Sequence, residues 1–155
     1  MQDFLLSKEE KEIKYKARSV VKSVPHDLIR DIESETVKFP KEFIELIAKE
    51  NITGLRFPKQ YGGRENSWTA EMAAIEEFGY LGFTLSCMYS LDSIVGEPIY
   101  RFGTAEQKEK YLRGITSGSR YGAEAITEPS GGLDLFGMMK TRAYKKGNIV
   151  NDITY

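Results

Sequence analysis

Residues 84–102 read TLSCMYSLDSIVGEPIYRF, and this stretch decides the fold that the sequence predicts. Its apolar residues fall on several sides of a helix: Leu85, Met88, Tyr89, Val95, Ile99 and Phe102. A helix that is apolar around most of its surface is typically enclosed by other elements. We therefore expect this helix to be the central, most buried one, with a kink at Pro98.

Helix-start and helix-stop signals predict the first two helices of the chain. Ser7-Lys8-Glu9-Glu10 has the form of a capping box and opens a helix that Pro25 stops. Phe39-Pro40 places a proline in the first turn of the next helix, where its missing N–H costs nothing. That helix is expected to end at Asn51 or Gly54.

Two more predicted helices flank the central one. The first begins near Ser67 and carries four apolar residues on one side: Trp68, Met72, Ile75 and Phe78. The second begins with another capping box, Thr104-Ala105-Glu106-Gln107, and ends near Ser117-Gly118. Residues 1–120 are therefore predicted to form an α-helical domain.

After Tyr121 the pattern changes from helical to strand-like. Residues 122–127, 138–144 and 149–155 are predicted strands, with a hairpin-type turn at residues 145–148. Two or three strands without closing partners are marginal on their own. The expected fold class is mainly α: a helical bundle followed by an incomplete β segment in residues 121–155, which indicates a truncated chain.

Composition excludes several classes of function. Hydrophobic residues make up 41% of the 155 residues and the net charge is −1, so neither a disordered chain nor a nucleic-acid-binding face is expected. No apolar run approaches the length of a membrane span, and Met1–Ser7 has no form of a secretory signal. With one cysteine and one histidine, no metal site and no internal disulfide are expected, and a cytoplasmic location fits.

Four motifs occur in a fixed order along the chain. They are Phe39-Pro40-Lys41-Glu42, then FPKQYGG at 57–63, then FGTAEQKEKYL at 102–112, and then AITEPSGGLD at 125–134. In this order and spacing the sequence resembles the acyl-CoA dehydrogenase family, whose signature is Thr-Glu-Pro, a variable residue, a small residue, Gly, Ser and Asp. The resemblance covers about residues 4–151.

The resemblance implies a three-domain flavoenzyme with FAD between a middle β domain and a carboxy-terminal helical bundle. In that family a glutamate removes the α-proton of an acyl-CoA thioester while the β-hydride passes to the flavin. No catalytic residue is expected within this chain, because it contains no match to that glutamate. The implied partners are an acyl-CoA substrate and further copies of the chain as a homo-oligomer.

The resemblance also implies which residues contact the cofactor. The expected FAD-binding residues are Glu124, Ala125, Ile126, Thr127 and Leu133, with Thr127 at the flavin ring. A flavin that accepts hydride gains negative charge, which fixed N–H and O–H donors stabilise. The family places a serine at the position of Leu133, for the pyrophosphate and the thioester. Since leucine cannot donate a hydrogen bond, we expect this chain to bind FAD weakly or not at all by itself.

The implied substrate-binding residues are Ser86, Cys87 and Ser90, together with Leu133. Small residues on a central helix also serve packing alone, and that alternative stays open for all three helical positions. Cys87 is expected to be a buried, inert thiol, since it has no neighbour in sequence that would activate it.

Other polar residues receive structural interpretations. We expect Glu76-Glu77 to form a solvated helix face, Glu128 to hold its turn and His26 to lie in an exposed loop.

Three functional classes remain in competition from sequence alone. The first is an FAD-dependent acyl-CoA dehydrogenase. The second is a non-catalytic helical module that binds a partner chain. The third is an acyl-CoA oxidase or a flavin monooxygenase relative. The motif Thr127-Glu128-Pro129 favours the dehydrogenase or oxidase branch over the monooxygenase branch.

Overall fold

The structure is a computed structural model that describes residues 2–132, 137, 139–147 and 149–154. The chain divides into two compact units, Met1–Ala123 and Glu124–Tyr155. The first unit is helical and the second contains a short antiparallel sheet. The predicted fold class, mainly α with a helical bundle, is confirmed.

The helices of the first unit follow one another with short connections. They are α1 (Lys8–Ser23), α2 (His26–Glu33), α3 (Lys41–Lys49), α4 (Trp68–Phe78), α5 (Phe83–Phe102), α6 (Ala105–Gln107) and α7 (Arg113–Thr116). A π-helical stretch, Lys108–Leu112, joins α6 to α7, so the three together form the helix predicted after Thr104.

The predicted helix starts are confirmed because their signals are local. The Ser7 N–H donates to Glu10 Oε2 at 2.8 Å, and the Glu10 N–H donates back to Ser7 Oγ at 3.3 Å. Thr104 and Gln107 exchange the same pair of bonds at 2.8 and 3.2 Å. The Ser67 hydroxyl accepts from the Ala70 N–H at 3.0 Å. Each cap satisfies N–H groups that the first turn of a helix leaves without a partner.

Helix α2 was not predicted. Pro25 ends α1, as expected, but it is also the N-cap of α2. His26, expected in a loop, is therefore the first residue of α2, and it is exposed. Proline fits the start of a helix because it has no N–H to leave unpaired. The same residue thus acts as stop and start, and the sequence analysis used only the stop.

The main core lies where α1 packs on α4. Its fully buried side chains include Ile13, Ala17, Phe43, Ile47 and Phe78. The Phe43 and Phe78 rings meet edge to face, with centroids 5.8 Å apart. Each such aromatic side chain stabilises the fold by about 1.5–3 kcal/mol through burial.

Glu77 corrects the prediction of a solvated Glu76-Glu77 face. Glu76 is exposed, but Glu77 is buried and accepts two hydrogen bonds from the Arg18 guanidinium, at 2.9 and 2.7 Å. This bidentate pair joins α1 to α4. The Glu77 carboxylate can be buried because it faces α1, where Arg18 pairs with it. Since Arg18 lies 59 positions away in sequence, the local sequence pattern around Glu77 does not reveal this pair.

The buried face of α4 is also different from the predicted one. Trp68 and Met72 are 55% and 41% exposed, whereas Ala70, Ala73, Ala74 and Phe78 form the buried face. Small side chains let α1 approach closely, and this packing outweighs the larger apolar area of Trp68. The large residues at the start of α4 therefore face outward.

Helix α5 is not the most buried helix of this unit, so that prediction is wrong. One face is buried, by Leu85, Tyr89, Asp92, Ser93 and Gly96. On other faces Ile94 is 48% exposed, and Phe83 and Phe102 are both 85% exposed. The apolar composition of α5 exceeds what residues 2–123 can cover.

A second, smaller core is centred on Phe57. Phe57 packs with Leu112 and Ile115, and its ring contacts the backbone of Gly96 on α5. The Thr116 hydroxyl donates to the Tyr61 carbonyl at 2.6 Å, which ties α7 to the turn of the 57–63 block. Gly63 lies against the Phe57 carbonyl so closely that a Cβ there would be 2.0 Å from its oxygen.

The second unit contains one antiparallel strand pair. Strand β1 (Arg142–Lys146) pairs with β2 (Ile149–Thr154), with Lys146 opposite Ile149 and an irregularity between Ala143 and Tyr144. A hairpin is present as predicted, but its bounds differ: Lys145 and Lys146, predicted in the turn, belong to β1, and residues 139–141, predicted as strand, precede it. The strand predicted at 122–127 is wrong, because these residues have no regular secondary structure and no strand partner in the part of the chain that is described. Met138, where the next predicted strand began, lies outside the described residues.

We expect Gly96→Ala to destabilise the first unit by about 1–3 kcal/mol. A methyl group at Gly96 would lie 2.3 Å from Cζ of the fully buried Phe57 ring. The free-energy cost of this clash exceeds the stabilisation of about 1 kcal/mol that alanine brings to a helix interior relative to glycine. Urea unfolding of the whole chain measures the loss.

Gly79→Ala is the matched control, since no atom lies within 4 Å of the added methyl group and Gly79 is exposed. We expect its free energy of unfolding to stay within about 0.5 kcal/mol of wild type. Equal effects of the two substitutions would contradict the assigned role of the Phe57–Gly96 contact.

Candidate functional site

The segment predicted to contact FAD is exposed at the start of the second unit. Glu124, Ala125, Ile126 and Thr127 are all solvent-exposed and extend without regular secondary structure. Within the described residues, no acceptor receives a hydrogen bond from the backbone N–H groups of residues 125–127.

A tight turn follows this segment directly. The Glu128 N–H donates to the Gly131 carbonyl at 3.1 Å, and the Gly131 N–H donates to the Glu128 carbonyl at 3.0 Å. Gly131 has a φ of +148°, a conformation that favours glycine. At Gly132 a Cβ would come within 3.0 Å of the Thr127 hydroxyl oxygen. The glycines thus let the chain turn back against Thr127.

The Glu128 side chain clamps this turn to the chain that leads into β1. Its carboxylate is buried and accepts hydrogen bonds from the N–H groups of Lys140 and Thr141, at 2.7 and 2.8 Å. Hydrogen bonds from Thr141 and Lys140 hold the pKa of Glu128 below its ordinary value. Glu128 therefore holds the turn, as expected.

Leu133, predicted to face both cofactor and substrate, lies outside the described residues.

The other predicted substrate-binding residues share one side of α5. Ser86, Cys87 and Ser90 are all half-buried, and the Ser90 hydroxyl donates to the Ser86 carbonyl one turn back, at 3.0 Å. Cys87 is therefore not the fully buried thiol that was expected. The Ser90 hydroxyl is held by its own helix, which favours a lining role over a chemical one.

An apolar groove of about 430 Å³ runs between α4 and α5 beside Ser90. Trp68, Met72, Ile75, Ile94 and Pro98 form its apolar walls. Trp68 and Met72, the large exposed residues at the start of α4, thus form one wall of the groove.

A buried polar network lies at the base of the groove. Arg56 donates to Glu71 and, at 2.6 Å, to Glu97, and the Ser93 hydroxyl donates to Glu71. The Arg56 guanidinium carbon lies 3.2 Å from the centroid of the Trp68 ring. Sequence analysis missed this network. The available signal was Glu71, a charged residue among the small alanines of the buried face of α4.

Asp92 is a second buried carboxylate that sequence analysis missed. It is 4% exposed, and its Oδ1 accepts a hydrogen bond from the Gly122 N–H at 3.2 Å. Its Oδ2 has no hydrogen-bond partner within the described ranges. Burial raises the pKa of Asp92 to about 6, and the bond from Gly122 offsets part of that rise.

Among the described residues no group of three potential ligands could hold a metal ion. In the same part of the chain no helix has the length and hydrophobicity needed to cross a membrane.

Residues 7–119 match the model of the family described as acyl-CoA dehydrogenase, N-terminal domain. The chain belongs to the acyl-CoA dehydrogenase family, and the resemblance found from its motifs is confirmed.

Curated relatives include both dehydrogenases and reductases. The chain is 36% identical over 141 residues to an acryloyl-CoA reductase (NADH) of Anaerotignum propionicum, which covers 91% of this chain and 35% of the relative. It is 30% identical over 147 residues to a short-chain specific acyl-CoA dehydrogenase of Clostridium acetobutylicum, covering 94% of this chain and 38% of the relative. The chain thus spans little more than a third of the length of these relatives.

Solved structures show the same fold. A glutaryl-CoA dehydrogenase from Mycobacterium smegmatis, in complex with FADH2, superposes with a TM-score of 0.81 at 26% identity. That match covers 97% of this chain and 39% of the other. Butyryl-CoA dehydrogenase from Megasphaera elsdenii gives a TM-score of 0.76 at 28% identity, covering 94% and 39% of the two chains.

We expect Asp92→Asn to stabilise the first unit at neutral pH and to lose that advantage in acid. Because the pKa of Asp92 is raised from 3.8 to about 6, its charged form lowers the free energy of unfolding by about 3 kcal/mol above pH 6. The penalty fades as the pH falls from 6 towards 3.8, because the folded state takes up the proton first. Urea unfolding of both proteins between pH 8 and 5 measures the difference.

Glu97→Gln is the control with the opposite sign. Burial raises the pKa of Glu97, but hydrogen bonds from Arg56 and Arg101 outweigh it and hold the pKa below its ordinary value. Glu97→Gln should therefore cost stability at neutral pH, and less as the pH falls. If the Asp92→Asn difference does not change with pH, Asp92 does not titrate as assigned.

Proposed function

We propose that this chain is the amino-terminal part of an FAD-dependent acyl-CoA dehydrogenase, which forms the α,β double bond of acyl-CoA thioesters. The observation that carries the proposal is the exposed segment of residues 124–127, which runs directly into the turn that Glu128 clamps. The proposed cofactor-binding residues are Glu124, Ala125, Ile126, Thr127 and Leu133.

These N–H and O–H donors can stabilise the negative charge that a flavin gains when it accepts hydride. FAD, when bound, accepts the hydride from the β-carbon of the thioester. The N–H groups of residues 125–127 and the Thr127 hydroxyl can donate to an electron-rich carbonyl or ring nitrogen. Because Glu128 and the glycines fix the turn that directly follows Thr127, the chain beside the ring needs little reorganisation when charge develops. This chain's part in the chemistry is to bind and orient the ring, and the base that takes the α-proton is not among its residues.

The proposed acyl-binding wall is the side of α5 that carries Ser86, Cys87 and Ser90. These side chains are half-buried and small, so an acyl chain can approach the helix closely. Ser90 also opens onto the apolar groove, where an aliphatic chain would be removed from water. Packing alone remains the alternative for Ser86, whose carbonyl is already engaged.

A reductase is the second candidate function. It is favoured because relatives of this chain include an acryloyl-CoA reductase and, at 37% identity over 124 residues, a 3-(aryl)acrylate reductase of Clostridium sporogenes. The same contacts would then serve hydride transfer in the opposite direction. The electron donor or acceptor that supports turnover distinguishes the two directions.

The remaining assignments of the sequence analysis stand as proposals. They are a domain division at residue 120, a cytoplasmic location and assembly as a homo-oligomer. The exposed side chains Trp68, Met72, Ile94 and Phe102 favour self-association, since contiguous exposed apolar area tends to be covered by a partner.

The proposed cofactor contact can be tested in a hybrid enzyme. Residues 1–146 of this chain replace the matching part of the Clostridium acetobutylicum dehydrogenase, and flavin absorbance and its anaerobic bleaching by a short-chain acyl-CoA are recorded. We expect the hybrid to retain flavin and to bleach. Thr127→Val should slow bleaching or weaken flavin retention by about 10- to 100-fold, the loss of one hydrogen bond to a charged group.

Thr127→Ser, which keeps the hydroxyl, and Thr84→Val, an exposed threonine outside the segment, are the controls and should behave like the parent hybrid. A hybrid that folds by circular dichroism but purifies without flavin would overturn the proposed function. The isolated 155-residue chain should show no flavin absorbance and no reduction by acyl-CoA.

Self-association is tested separately by sedimentation of the purified chain. We expect a dimer or larger species at concentrations of about 100 μM, and a monomer when Trp68 and Met72 are replaced by serine, because both are exposed apolar residues of α4. Thr84→Ser, at an exposed position that is not apolar, is the control and should leave the sedimentation unchanged. A wild-type monomer at this concentration would show that the apolar face does not drive association.

A further inference from the structure

The chain leaves the helical bundle through a narrow set of contacts. Gly122 crosses α5 so closely that a Cβ there would lie 2.8 Å from the Leu91 carbonyl oxygen and 3.2 Å from Cβ of Val95. One residue earlier, the Tyr121 ring packs on Phe39, with centroids 4.8 Å apart. The exit is thus in contact with both α5 and the segment before α3.

Asp92 makes a polar contact with this exit. Its Oδ1 accepts the Gly122 N–H at 3.2 Å. Within the described ranges Asp92 has no ion-pair partner, and its Oδ2 has no hydrogen-bond partner. A buried carboxylate with one hydrogen bond is costly, since it loses most of its hydration. Packing alone does not require a carboxylate at this position.

Chain length limits how far the proposed flavin-binding segment can lie from Gly122. Each residue extends by at most about 3.6 Å, so Ala125 lies within about 11 Å of Gly122 along the chain and Thr127 within about 18 Å. Without the anchor, the exit could detach from α5, and the start point of the segment would no longer be defined. Positional errors of 1 Å at a reacting group are enough to reduce rates substantially.

We propose that Asp92 is a positioning residue that fixes, through Gly122, the point at which the flavin-binding segment leaves the helical bundle. The proposal rests on the proposed function for its consequence in catalysis. The anchor itself is a property of the first unit and does not depend on flavin.

The anchor is tested in the whole chain by hydrogen exchange and by brief trypsin treatment. Asp92→Ala removes the acceptor, so the Gly122 amide should exchange at least tenfold faster and cleavage after Arg120 should accelerate. Asp92→Asn retains an oxygen acceptor and should restore both readouts. Tyr89→Phe is the matched control. Tyr89 lies on α5, as Asp92 does, and the substitution deletes its buried hydrogen bond to the Ile52 carbonyl but leaves the contacts of the exit in place.

Gly122→Ala perturbs the same anchor from the other side, since its methyl group would push the chain off the Leu91 carbonyl. It should reproduce the Asp92→Ala pattern, and it keeps the test decisive if Asp92→Ala does not fold. Unchanged Gly122 exchange in Asp92→Ala, or equal acceleration in Tyr89→Phe, would overturn the anchor.

The consequence for catalysis is tested in the hybrid enzyme. Asp92→Ala should lower kcat at saturating acyl-CoA by about tenfold or shift the visible flavin band, while Asp92→Asn and Tyr89→Phe match the parent hybrid. If Asp92→Ala loosens the exit but leaves the flavin band and kcat unchanged, the positioning role is wrong. A parent hybrid without flavin would instead defeat the proposed function, and the exchange experiment would still decide the anchor.

Discussion

The contact between the Phe57 ring and the glycine backbone at Gly96 is the constraint on which the first unit depends. It sets how closely the loop of residues 54–63 approaches α5. Through Leu112 and Ile115 it fixes the helix that follows α5, and through the Thr116–Tyr61 hydrogen bond it fixes the end of α7. The chain then turns back along α5 towards Asp92. The path of the chain up to the anchor at Asp92 therefore rests on the contact between the Phe57 ring and Gly96.

Two buried carboxylates show how opposite environments serve one purpose. Glu128 accepts two backbone N–H bonds, and its pKa is lowered; Asp92 accepts one, and its pKa is raised to about 6. Both hold backbone N–H groups of the chain on either side of residues 125–127. The segment is thus bounded by two side-chain clamps while its own donors remain exposed.

The sequence predicted those features whose causes are local. Capping boxes at Ser7 and Thr104 define helix starts because all of their hydrogen bonds lie within three residues. Likewise the Thr-Glu-Pro turn is a short motif, and its role in holding the chain was expected. Helix α2 escaped because Pro25 was read as a stop alone, although a proline N-cap also opens a helix.

Features that depend on distant partners could not be predicted. The partner of Glu77 lies 59 positions away and those of Glu71 lie 15 and 22 positions away, so each of these two glutamates looks like an ordinary surface charge. The burial of α5 was overestimated for a related reason: apolar composition indicates that a face needs a cover, but not which part of a protein supplies it.

The exposed apolar face of α5 also has a consequence during synthesis. Residues 1–123 leave the ribosome before the rest of the chain and can fold as a compact unit, with the Ile94 and Phe102 side chains still exposed. During translation this strip of α5 is therefore apolar surface that other chains can contact.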